Sequence, residues 1–144
     1  MKRSKAKPPK VFISHASDDE WVARQLAFHI HKAGAQTFLD CEQIEAGDDF
    51  ENAIIEHAGT CTEMLVLFTP TAKTRRYVWM EIGMFLGAKK RIVAVLYGVT
   101  EEEISTDRRI PVALKRLHAI RLNDIDGYFE KLTQRLKKQR DNHA

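Results

Sequence analysis

Val11-Phe12-Ile13-Ser14-His15-Ala16-Ser17-Asp18-Asp19 reads as one unit: an apolar run, a polar turn without glycine, and two carboxylates ahead of a helical pattern. The run does not alternate apolar with polar, so it fits a strand covered on both faces. Behind it Trp21, Val22, Leu26, Ile30 and Ala33 share one broad helical face, and the pattern stops at Gly34. Glycine is a normal helix-ending residue, and Asp18 and Asp19 stand where the macrodipole favours negative charge. Three further runs of the same kind follow: Thr37-Phe38-Leu39, Met64-Leu65-Val66-Leu67-Phe68 and Ile92-Val93-Ala94-Val95-Leu96. A second helical pattern starts at Asp48 or Asp49 and gathers Phe50, Ile54, Ile55 and Ala58 before Gly59. The closing pattern, Ile125, Tyr128, Phe129, Leu132 and Leu136, starts at Asn123 or Asp124 and ends in Lys137, Lys138 and Arg140. A fifth strand is placed at His118 to Leu122, after a loop containing Pro111. Strands alternating with helices of about 10 to 16 residues demand right-handed crossovers and a parallel sheet. The sequence therefore predicts a three-layer α/β, flavodoxin-like fold, with about five parallel strands and helices on both faces.

The 144 residues, 44% hydrophobic and 30% charged, suit one domain with one core. Met1 to Lys10 carry five Lys/Arg and two prolines with almost no apolar side chain, so residues 1–9 are read as a disordered basic arm. The domain is expected over residues 10–140, with a disordered tail at 141–144. The longest apolar runs fall far short of the roughly 18 residues that span a bilayer, so no membrane segment is expected and a cytoplasmic location is inferred. Twenty-three Lys+Arg against 20 Asp+Glu give a net charge of +3, a balance that argues against a dedicated nucleic-acid binder. Cys41 and Cys61 form no CxxC pair, and the six histidines no metal-like cluster, so neither a disulfide framework nor a metal site is expected.

In open parallel sheets, ligands bind beyond the carboxyl ends of the strands. The segments that matter are then Ser14 to Asp19, Asp40 to Asp49, Thr69 to Tyr77 and Tyr97 to Pro111. No glycine-rich phosphate cradle follows the first strand, which removes most support for dinucleotide redox and NTPase chemistry. Ser14 beside His15 lacks the GxSxG elbow of a serine hydrolase. The most informative stretch is Tyr77-Val78-Trp79-Met80-Glu81-Ile82-Gly83-Met84-Phe85-Leu86-Gly87, where one carboxylate stands alone in an apolar helical segment. Tyr77 lies one turn before Glu81 on the same face, so ring and carboxylate together could line a cleft. An apolar setting raises a carboxyl pKa and sharpens its electrostatics where positive charge develops. The alternative is a Glu81 that points outward or caps a backbone group. A second acidic cluster, Asp40, Glu42, Glu45, Asp48 and Asp49, ends in Phe50. Its carboxylates could hold ribose hydroxyls and its ring could stack on a base, or the segment is a solvated loop whose Asp48 or Asp49 caps a helix.

Taken together these residues resemble a TIR (Toll/interleukin-1 receptor) domain of the form common in bacteria. Val11 to Asp19 resembles the family's opening strand and loop, Phe38-Leu39-Asp40 with Ile44-Glu45-Ala46-Gly47 its second strand and mobile BB loop, Leu65 to Pro70 its third strand, and Trp79-Met80-Glu81-Ile82-Gly83 the helix bearing its glutamate. The resemblance implies cleavage of the nicotinamide–ribose bond of NAD+, with NAD+ as substrate and no cofactor or metal. It puts the catalytic glutamate on Glu81, pocket-shaping acids on Asp40 and Glu45, an aromatic on Phe50, and nucleotide contacts on Ser14 and His15. The family's tryptophan position falls on Tyr77, with Trp79 two residues on, and either ring is a candidate for the nicotinamide riboside. The product implied is ADP-ribose or a cyclic or modified ADP-ribose signal, used in anti-phage defence by NAD+ depletion or through a separately encoded effector. Self-association through TIR–TIR contacts that include the 40–49 loop is expected. Two rival readings are a non-enzymatic TIR scaffold or adaptor, and an enzyme resembling nucleoside deoxyribosyltransferases, which share the layout and a catalytic glutamate.

Overall fold

Successive side chains of a strand point to opposite faces, and the apolar runs use both faces. The computed structural model describes residues 9–39, 47, 49–110, 112–115 and 119–142. In it β1 (Lys10–Ser14), β2 (Gln36–Phe38), β3 (Glu63–Phe68), β4 (Arg91–Leu96) and β5 (Ala119–Arg121) form one sheet in the order β2-β1-β3-β4-β5. Every pairing is parallel; Phe12 stands opposite Phe38 on one side and Met64 on the other. Val11, Ile13, Leu65 and Leu67 pack with α1 (Glu20–Ala33) and α6 (Ile125–Asn142). Phe12, Met64, Val66 and Phe68 pack with α2 (Phe50–Thr60) and α3 (Arg76–Gly87) on the other face. The expected three-layer, flavodoxin-like arrangement is the one observed.

Local chemistry sets the helix ends. Gly34 takes φ +106°, a left-handed conformation open to glycine at little cost, and the Ala35 N–H then reaches back to the Ile30 carbonyl at 3.2 Å. Asp49 caps α2, its side chain accepting the Asn52 N–H at 3.2 Å. Two short helices, α4 (Glu101–Thr106) and α5 (Val112–Lys115), occupy the segment expected to be loop. α4 is announced by a cap rather than by apolar periodicity: Thr100 Oγ1 accepts the Glu103 N–H at 3.1 Å, and three glutamates fill its first turn.

Three expectations are corrected. Trp21 is 71% exposed, because it lies five positions before Leu26, about 140° round the helix from the buried stripe of Ala23, Leu26, Ala27, Ile30 and Ala33. Ile55 is likewise outside the core at 55% exposure, while its neighbour Ile54 is fully buried. α6 runs through Asn142, past the expected boundary at 140, so Asp141 and Asn142 belong to the helix. Residues 1–8, 143–144 and His118 lie outside the described residues, whereas Pro9 already accepts the Gln36 N–H at 2.9 Å. Cys61 is a buried free thiol, pushed up to about 11 first by burial. No helix among the described residues is long and apolar enough to cross a membrane.

At the amino end of β3, Glu63 is 3% exposed and tied to α6. Arg135 donates to both of its oxygens at 3.0 and 3.2 Å, and the Tyr128 hydroxyl donates at 2.9 Å. Burial first, then the adjacent carboxylate, pushes the Tyr128 phenol above its ordinary pKa, which keeps it a donor. Breaking such a pair strands a charge. Glu63→Ala should lower the unfolding free energy by about 3 kcal/mol, the low end for a buried pair because Arg135 keeps 33% of its side chain exposed. Urea unfolding checks this, and a loss under about 1 kcal/mol would reduce the contact to an ordinary surface ion pair.

Candidate active site

β1 lies between β2 and β3, so the chain leaves it toward one side and later returns to the other, opening a crevice beyond its carboxyl end. Ser14 and His15 stand there, 1% and 4% exposed. Ser14 Oγ is buried without a hydrogen-bond partner among the described residues. The His15 ring Nδ1 lies 3.4 Å from the Ile13 carbonyl.

Two side chains brace the loop after β1. Thr69, just past β3, donates its hydroxyl to Asp19 at 2.6 Å and accepts the Ala72 N–H at 3.0 Å. Tyr77, in the first turn of α3, accepts the Ser17 N–H at 3.2 Å and donates to the His15 carbonyl at 3.3 Å. Its hydroxyl therefore joins α3 to both residues flanking Ala16. Arg75 adds a looser contact, 3.8 Å from Asp18.

Glu81 follows Tyr77 by one helical turn on the same face and is 1% exposed. The other buried residues of α3 are Val78, Ile82 and Phe85, all apolar. The carboxylate therefore neither points into solvent nor sits in the first turn, where it could cap the helix. A charged group is tolerated at such a position only with compensating interactions, which makes its presence informative.

Trp79 goes elsewhere. Its Nε1–H donates to the Lys73 carbonyl at 2.9 Å, and its ring meets Phe68 edge-on at 5.5 Å. It lines a separate cavity of about 230 Å³ with Lys73, Asp107, Arg109 and Ile110. There Arg109, by side-chain and backbone hydrogen bonds, holds the Asp107 carboxyl down to about 2. Of the two rings the sequence left open, Tyr77 shares the face of Glu81 and the β1 loop. Asp40 and Glu45 lie outside the described residues, and of Phe50 only its place as the first residue of α2 is described. Sequence reasoning missed the Thr69–Asp19 bond, for which the Thr69-Pro70 ending of the third run was the sole local hint.

The family model described as TIR domain matches residues 11–137. Among curated proteins, "Probable 2' cyclic ADP-D-ribose synthase BdTIR" of Brachypodium distachyon is 29% identical over 97 residues, which cover 66% of this chain and 43% of that protein. The chain thus spans less than half the length of that relative. The TIR domain of the Toll-related receptor TRR-2 from Hydra magnipapillata superposes with a TM-score of 0.68 at 21% identity, covering 88% of this chain and 97% of that one. A TIR-STING receptor from C. gigas gives a TM-score of 0.67 at 18% identity, over 88% and 38% of the respective chains. At these identities the structural likeness concerns the fold.

Removing the Tyr77 hydroxyl alone tests the brace. Tyr77→Phe should cost about 1–2 kcal/mol in urea unfolding, for two backbone hydrogen bonds lost, with the ring still packed. Exchange of the Ser17 amide proton, followed by NMR, should accelerate by about tenfold or more. Unchanged protection at Ser17 would show that the loop is held by other contacts.

Proposed function

Because the chain belongs to the TIR-domain family, whose match runs over residues 11–137, we propose that it is an NAD+ nucleosidase, breaking the nicotinamide–ribose bond to give ADP-ribose or a cyclic or modified ADP-ribose signal. The observation that carries this reading is the Glu81 carboxylate, 1% exposed on the helix face it shares with Tyr77. The Brachypodium distachyon relative, named for cyclic ADP-ribose synthesis, supports it.

In this mechanism the C1′–N bond breaks with its electron pair leaving on nicotinamide, and the ribose gains oxocarbenium character. A preplaced carboxylate facing that charge binds the transition state more strongly than the ground state. Addition of water and loss of one proton gives ADP-ribose; attack by a nucleophile of the same molecule, again with loss of a proton, gives a cyclic isomer. Exclusion of water from the pocket selects between them. Glu81 holds the ribose hydroxyls and faces the cation. Tyr77 supplies the ring beside the sugar, Ser14 and His15 meet the nucleotide, and the family resemblance assigns Asp40, Glu45 and Phe50 to the substrate as well. A neighbouring copy contacting the 40–49 loop completes the pocket. The setting we assign is antiviral defence, by NAD+ depletion or by a nucleotide signal read by a separately encoded effector.

Glu81→Gln keeps size and hydrogen-bonding capacity but removes the charge. Turnover should fall by at least about a hundredfold, the scale of one lost preorganised electrostatic contact, with urea unfolding little changed. Tyr77→Ala should lose less activity, and Asp40→Ala should fall between the two. A folded Glu81→Gln protein that cleaves NAD+ at the wild-type rate would remove Glu81 from the mechanism. Specific activity should also drop on dilution through any dimer transition; a constant value would contradict completion of the pocket by a second copy.

A further inference from the structure

Beside α6, away from Tyr77 and Glu81, a half-open groove of about 560 Å³ lies against β4 and β5. Its position is set by the amino end of β4, whose first residue, Arg91, forms part of the wall, whereas Ser14 and His15 stand at the carboxyl end of β1. Lys131, Arg135 and Lys138 follow one another at i, i+4 and i+7 along α6, so they project along one helix face into the groove opposite Arg91. Arg135 is anchored by the buried Glu63, which fixes its guanidinium. Asp124, the acidic residue of the lining, is engaged by Arg121 at 2.9 Å. Among the described residues Arg91, Lys131 and Lys138 have no ion-pair partner.

The floor is of a different nature. Val93, Ile120 and Tyr128 line it, and Gly127 adds open space to the wall, since a Cβ built there meets nothing within 4 Å. Cations converging above an apolar floor, in a volume within the range of small-molecule sites, match an anion that carries a flat apolar body. A polyanionic strand would instead call for a large excess of positive charge, and the chain as a whole carries only +3.

We propose that this groove binds a phosphorylated small molecule of nucleotide size, with its phosphates on Arg91, Lys131 and Lys138 and its base over Val93, Ile120 and Tyr128. The site is independent of the Glu81 reading, so its test uses the full chain carrying Glu81→Gln, in which ligand chemistry at the other end is suppressed. Chemical shifts of backbone amides are followed by NMR on titration with ADP, inorganic pyrophosphate, adenosine and a single-stranded oligonucleotide. ADP should give saturable shifts at residues 91–93, 119–121 and 124–138, pyrophosphate the same set more weakly, and adenosine none. Raising the salt from about 0.05 to 0.5 M should weaken both. Lys131→Glu with Lys138→Glu, both exposed, should weaken ADP by about tenfold or more. Gly127→Phe should fill that space without altering charge. The proposal fails if ADP and pyrophosphate leave these amides unmoved at millimolar concentration, or if their shifts are indifferent to the lysine changes. It fails equally if adenosine binds as well as ADP, or if only the oligonucleotide shifts this set.

Discussion

Parallel pairing of β1 with both β2 and β3 is the constraint from which the rest of the molecule follows. Neither connection can be a hairpin, so helices must cross both faces of the sheet. With both faces covered, every central strand must be apolar on both sides, which is why Phe12 and Met64 are as deeply buried as Val11 and Leu65. The same topology turns the chain in opposite directions at the end of β1. It leaves Ser14 and His15 buried at the end of β1, with the loop behind them braced by Thr69 and α3, elements fifty or more residues away in sequence.

Among the described residues two carboxyl side chains, Glu63 and Glu81, are buried, and their surroundings differ in kind. Glu63 receives a fork from Arg135 and a hydroxyl from Tyr128, an arrangement that fixes α6 on the sheet. Glu81 lies on a helix whose other buried side chains are apolar, one turn from the tyrosine that braces the β1 loop. The first explains how the sheet and its last helix stay docked. The second sets a carboxyl group among apolar side chains, on the helix face it shares with that tyrosine.

β1 to β4 were legible as unbroken apolar runs, α1, α2 and α6 as 3.6-residue stripes with an end signal, and α3 as an apolar helical segment around one carboxylate. Trp21 and Ile55 went astray because a large apolar side chain close to the stripe in sequence can still point away from it around the helix. The short helices after β4 escaped because Thr100 and the glutamates behind it signal a cap without an apolar face. Within the site, the pairing of Tyr77 with Glu81 followed from their spacing, but its anchorage to Ser17 and His15 joins residues about sixty apart, and no periodicity reports that. The bond from Thr69 to Asp19 and the Glu63–Arg135 fork are hidden for the same reason.

The central claim is that the buried carboxylate of α3 faces a ribosyl cation made from NAD+. Its most direct test is chromatography of NAD+ incubated with concentrated protein, following free nicotinamide and the ribosyl product together. The account requires nicotinamide to appear in step with an equal amount of ADP-ribose or a cyclic isomer. NAD+ left intact at every protein concentration, with a folded chain, would contradict it.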